Sequence, residues 1–97
     1  MATRRALSSL SKLSGWVLAK DAKSISLDLR MKDFASAMRF INKIAAVAEA
    51  QGHHPDFHLT SYRNLRVELS THAVHGLSEN DFILAEKIDR LPKKLKV

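Results

Sequence analysis

Apolar and polar residues alternate through residues 24–31, SISLDLRM. Ile25, Leu27, Leu29 and Met31 are apolar there, and Ser26, Asp28 and Arg30 are polar. A period of two predicts a strand with one buried face. The period then lengthens. Across residues 33–52, Phe34, Met38, Ile41, Ala45 and Ala48 recur at helical spacing, and Ala37, Phe40, Ile44 and Val47 broaden that stripe. Asp33 is suited to cap this helix, and Gly52 to end it in a left-handed conformation. Residues 57–62 predict a third extended segment, Arg63 and Asn64 a turn, and residues 65–71 a strand with Leu65, Val67 and Leu69 inward. HAVHG, residues 72–76, reads as a loop. The last helix is predicted over 78–91, with Ser78 and Asp81 at capping-box spacing, Leu84, Ala85, Ile88 and Leu91 as its apolar face, and Pro92 as its stop.

Two further elements precede these. A short strand is expected around Trp16–Leu18. Ahead of it, Ala6, Leu10 and Leu13 share one face of a first helix. The order is then helix, strand, strand, helix, strand, strand, helix. Short connections between paired strands make the sheet antiparallel, and its apolar face needs cover from the helices. The predicted class is α+β: a four-stranded antiparallel sheet with about three helices packed on one face. At 97 residues, 45% of them apolar, the chain has room for a single domain spanning residues 1–97 and one core. A core of that size gains from oligomerisation, which is expected here.

Charge changes this picture little. The net charge of +6 points at first to nucleic acid or a membrane surface. It is concentrated at the ends, however. Arg4, Arg5, Lys12 and Lys20 face no acid in residues 1–20, and Lys87, Arg90, Lys93, Lys94 and Lys96 face only Asp89 in residues 87–97. The segment between them is net acidic, and the six aromatics do not interleave with the basic runs. Nucleic acid is therefore not an expected partner. No apolar run approaches the ~20 residues of a membrane span. The absence of cysteine excludes disulfides, thiolate metal ligands and a cysteine nucleophile, and fits a cytoplasmic protein. The acid-free, Arg- and Ser-rich start MATRRALSSLSKLSGW also has the composition of an organellar targeting peptide; the structural helix is the favoured reading.

Chemistry concentrates in the histidines. His53 and His54 precede Pro55, which holds His54 extended, so the two rings point to opposite sides of the chain. They are placed at the rim of a pocket beyond the long helix. His72 ends the strand 65–71 and reaches the same rim if that strand lies beside the segment after Pro55. Imidazoles exchange protons near neutrality, which suits general acid–base catalysis without a metal or redox centre. Three histidines could also hold zinc, but HAVH lies in a loop and no carboxylate completes a known motif. No G-x-S-x-G elbow supports a serine hydrolase. His58 and His75 are read as surface or structural.

The sequence EAQGHHP (Glu49 to Pro55), then Tyr62, then STH ending at His72, then GLSENDF with Asp81, resembles the signature of the pterin-4a-carbinolamine dehydratases. Gly15-Trp16, the KDF at 32–34 and the final helix extend the likeness over nearly the whole chain. The resemblance implies a dimer or a dimer of dimers, no cofactor or metal, and a pterin substrate. The implied reaction dehydrates 4a-hydroxytetrahydrobiopterin to quinonoid dihydrobiopterin within tetrahydrobiopterin recycling. It also implies residue roles. His54 and His72 are the acid–base candidates, the division of labour between them left open, and His53 orients the pterin. Ser70, Thr71 and Ala73 line the pocket, Glu49 holds a histidine, and Pro55, Trp16 and Asp81 support the site. Some animal members of that family also act as dimerisation cofactors of a transcription factor, so a helical protein partner is the alternative function. Two departures stand out. Six residues separate Pro55 from Tyr62 where many members have five, which predicts a bulge or longer rim loop. Gly52 also replaces an aspartate common in the animal enzymes.

Overall fold

A computed structural model of the chain describes Leu13 and residues 15–92. Strand β1 covers Trp16–Leu18 and β2 covers Ile25–Arg30. Helix α1 runs Phe34–Gln51, followed by β3 at Asp56–Thr60 and β4 at Asn64–Leu69. A single 3-10 turn at His72–Val74 leads to helix α2, Glu79–Asp89. The strands form one antiparallel sheet in the order β1-β2-β4-β3. Helix α1 carries the chain from β2 past the place of β4 to the far edge, and the β3–β4 hairpin then fills the gap.

The period-two reading of β2 holds because one face of the sheet is covered and the other is open. Ile25, Leu27, Leu65, Val67 and Leu69 point into the core, where Phe40 and Ile44 of α1 and Leu84 and Ile88 of α2 meet them. On the open face, Arg66 donates two hydrogen bonds to Asp28, at 2.9 and 3.1 Å, and His58 contacts Glu68 at 2.6 Å. The hydrogen bond and charge of Asp28 raise the Arg66 pKa.

The structure corrects several expectations. Two α-helices, not three, lie on the sheet among the described residues; the first predicted helix falls on residues outside them, apart from Leu13, which packs on the core. In α1 the buried positions are Ser36, Ala37, Phe40, Ile44 and Ala48. Phe34 is 54% exposed, Met38 is 40% exposed, and Ala45 is also exposed. The periodic stripe was wider than the face the sheet can cover. The β3–β4 turn lies at Ser61–Arg63, beginning two residues before the expected Arg63-Asn64, and Asn64 already opens β4. Its loop takes up the extra residue, with Ser61 and Tyr62 both left-handed (φ 49° and 56°), while the β3–β4 register runs without a bulge. Strand β4 stops at Leu69, freeing Ser70 and Thr71 for a different role.

Candidate functional site

The site is built where α1 ends. Gly52 adopts φ 70°, and the chain closes the helix with two bonds, Gly52 N–H to the Glu49 carbonyl at 3.2 Å and His53 N–H to the Ala48 carbonyl at 3.1 Å. This paired closure is a Schellman motif, which needs a left-handed residue at that point and favours glycine there. Its consequence is positional, since the His53 backbone is tied to the helix end. The His53 ring then turns inward and is 13% exposed on its side chain, with Nε2 2.5 Å from Asp81 Oδ1. His54 turns outward, with a side chain 66% exposed and Nε2 2.8 Å from Glu49 Oε1. The two rings diverge as the extended backbone before Pro55 requires.

Asp81 joins the separated segments. It occupies the first turn of α2 and its side chain is fully buried. Oδ2 accepts the Ser78 N–H at 2.9 Å, the return bond of a capping box. The same oxygen accepts the Thr71 hydroxyl at 2.8 Å, while Oδ1 accepts from His53. Proton bookkeeping then fixes the rest. A carboxylate only accepts, so a hydrogen of His53 sits on Nε2, facing Asp81. The one Thr71 hydroxyl proton goes to Asp81, so the 2.7 Å contact between Thr71 Oγ1 and Ser78 Oγ has Ser78 as donor. A buried carboxylate with three donors is well satisfied, and it holds the ends of α1 and β4 against the start of α2.

His72 follows Thr71 directly. The loop it opens is closed by a backbone pair, Thr71 N–H to the Gly76 carbonyl at 2.7 Å and Gly76 N–H to the Thr71 carbonyl at 3.3 Å. A depression of 240 Å³ beside this loop is lined by Lys23, Ser70, Thr71, His72, His75 and Gly76.

The expected residues thus divide. His53, Thr71 and Asp81 share one network, and Ser70 and His72 stand beside it. Glu49 holds His54 on the exposed side. Ala73 is exposed on the 3-10 turn, and Pro55 separates His54 from β3. Trp16 lies in the core and donates its indole N–H to Asp89 at 3.0 Å, tying β1 to the end of α2. Lys23, His75 and Ser78 had not been singled out as site residues. His75 could have been found by its spacing of three from His72; nothing in the sequence points to Lys23. No group of three or more His, Asp or Glu side chains among the described residues is arranged to hold a metal ion.

Fold and site together define a small α+β protein in which a buried carboxylate fixes one histidine, His53, where two helices meet the end of a strand. Comparison with known proteins gives that class its family. Residues 1–91 match the model of the family described as pterin 4 alpha carbinolamine dehydratase, and the chain belongs to that family. A relative from Arabidopsis thaliana, named pterin-4-alpha-carbinolamine dehydratase 2, mitochondrial, is 46% identical over 84 residues, covering 84% of this chain but 45% of that protein. The chain therefore spans less than half the length of this relative. A putative pterin-4-alpha-carbinolamine dehydratase of Halorhodospira halophila is 43% identical, over 84% of this chain and 74% of its own length. Among solved structures, a transcriptional coactivator/pterin dehydratase from Brucella melitensis superposes with a TM-score of 0.83 at 30% identity, covering 91% of this chain and 93% of that one.

Proposed function

We propose that the protein is a lyase that removes water from 4a-hydroxytetrahydrobiopterin, giving quinonoid dihydrobiopterin in the recycling of tetrahydrobiopterin. Family membership and the names of the relatives support the reaction class. The observation that carries the site is the Asp81 carboxylate, bonded at once to His53 and to the residue before His72. In the reaction, the carbon–oxygen bond breaks with its electron pair on oxygen, which takes a proton and leaves as water. A neighbouring ring nitrogen loses its proton, and its electrons form the new double bond to carbon. No oxidant is needed. His54 and His72 are the groups proposed to deliver and remove these protons. His53, held by Asp81 through Nε2, orients the pterin. Ser70 and Thr71 border the depression beside His72, and Ala73, next along the chain, is proposed to reach the bound pterin. The test is a dehydration assay on synthetic 4a-hydroxytetrahydropterin. His54→Ala and His72→Ala should each lose at least about tenfold in rate, the low end for one positioned acid or base, with the fold intact. Unchanged turnover in both variants refutes the assignment.

The Brucella protein, by its name a coactivator as well as a dehydratase, favours a second reading, a coactivator-like interaction role. Exposed Phe34 and Met38 on α1 supply an apolar face for a helical partner or for a second copy of the chain in a dimer or tetramer. Co-purification of a helical protein, with negligible acceleration of spontaneous dehydration, supports that role over the enzyme. The cytoplasm is the proposed compartment. No helix among the described residues is long and apolar enough to cross a membrane. The mitochondrial Arabidopsis relative and the basic N-terminal segment make an organelle the alternative, decided by imaging the tagged full chain.

A further inference from the structure

Of the two proton-transfer candidates, His72 is the one that packing and side-chain hydrogen bonds do not hold. It opens the 3-10 turn, which buries none of its side chains, and among the described residues its ring makes no hydrogen bond. Ala73, Val74 and His75 beside it are exposed as well. A group that moves a proton has to be held to about 0.5 Å. For His72 the backbone must supply that.

It does so through Thr71, the residue just before. The Thr71 N–H and carbonyl pair with Gly76 at 2.7 and 3.3 Å, closing residues 71–76 into a ring. The Thr71 hydroxyl donates to Asp81 Oδ2 at 2.8 Å and accepts from the Ser78 hydroxyl at 2.7 Å. Leu77, directly after the ring, is buried in the core and leads into Ser78. The base beneath is firm. Leu84, Ala85 and Ile88 of α2 are fully buried. The end of α1 meets the first turn of α2 twice, through His53 on Asp81 and through Gln51, whose Nε2 donates to the Asn80 carbonyl at 3.0 Å.

Ser78 does more here than cap α2. A cap uses lone pairs of its hydroxyl and its carbonyl, and the Ser78 carbonyl accepts the Asp81 N–H at 3.1 Å. The hydroxyl proton is not needed for capping, and it goes to Thr71. With that proton in place, Thr71 Oγ1 is held from two sides. Without it, the Thr71 side chain hangs on Asp81 alone. We infer that Ser78 is a positioning residue for His72: its hydroxyl, acting through Thr71, sets where the exposed imidazole meets the pterin. The inference rests on the dehydratase reading for the chemistry that His72 performs.

The test separates positioning from capping. Glycine caps a helix almost as well as serine, so Ser78→Gly keeps the cap and loses the proton, whereas Ser78→Thr keeps both. In the dehydration assay Ser78→Gly should lose about three- to tenfold in kcat with KM within about twofold, as expected for a displaced acid or base. Ser78→Thr should recover most of that loss. In a His72→Ala background Ser78→Gly should cost nothing further, while in a His53→Ala background its cost should persist. Undiminished kcat, a loss confined to KM, no rescue by threonine, or a loss that persists without His72 overturns the inference. Amide hydrogen exchange of the full chain reads the same device without catalysis. Thr71, His75 and Gly76 amides should exchange at least about fivefold faster in Ser78→Gly, the size of one lost hydrogen bond, with the buried turns of α2 unchanged. Equal exchange in a protein whose His72→Ala variant is inactive keeps the enzyme and removes the role of Ser78. Faster exchange in a protein that dehydrates nothing keeps the hold on the loop and removes the enzyme.

Discussion

At the scale of single residues, Asp81 is the group whose replacement says most. Its two buried oxygens take hydrogen bonds from an imidazole, a hydroxyl and a backbone amide. Asp81→Asn preserves the shape but turns one acceptor into a donor facing donors. A buried polar group left unmatched costs roughly 1–3 kcal/mol, more where a charge was involved. Asp81→Asn is therefore expected to lose about 2–3 kcal/mol in urea unfolding, with an unchanged slope. Thr71→Val removes one donor to the same carboxylate, and its cost should fall short of additivity with Asp81→Asn, because the two residues share a network. Additive costs would mean that Thr71 and Asp81 act independently, contrary to the geometry.

At the scale of elements, the caps of α1 decide where the site begins. Asp33 Oδ1 accepts the Ser36 N–H at 2.7 Å, and this bond holds the Asp33 pKa below its ordinary 3.8. A carboxyl depressed in the folded state stabilises the fold above its unfolded pKa, and that contribution is lost as pH falls through the folded value. Thermal midpoints of the wild type should thus drop more steeply than those of Asp33→Asn between about pH 5 and pH 2. At the other end, a Cβ at Gly52 meets no atom within 4 Å, so Gly52→Ala tests backbone strain alone. The expected loss is about 1 kcal/mol, with reduced turnover as His53 is re-aimed. Both caps were legible in the sequence because capping depends on residue type at a fixed offset. The same holds for β2 and β4, whose alternation reflects one covered face. The hairpin tip was not legible. Ser61 and Tyr62 are left-handed without being glycine or asparagine, and only the extra residue between Pro55 and Tyr62 announced a change there. Of the site, the histidines and Asp81 could be read from a motif. Lys23 could not, because it reaches the hollow only through the sheet pairing that brings the β1–β2 connection beside the end of β4.

At the scale of the whole molecule, the misread flank of α1 becomes informative. Taking 100° per residue, Phe34, Ala45 and Met38 stand roughly 90–130° from the centre of the buried stripe, too far round to reach the sheet. The core is filled without them, by Phe40, Ile44 and Ala48 beneath. An apolar flank that the fold itself does not cover, in a chain this short, gains most by meeting another helix. Sedimentation of the full chain is expected to give a multiple of the 10.9 kDa protomer mass at micromolar concentration. The double variant Phe34→Glu, Met38→Glu places like charges on the flank and should return the protein to the single-chain mass with its circular dichroism unchanged. Because both side chains are half exposed in the single chain, the substitutions leave the core intact, so a loss of assembly is read as a loss of the interface. A wild-type protein that already sediments as a single chain removes self-association, leaving a different partner as the cover for this flank.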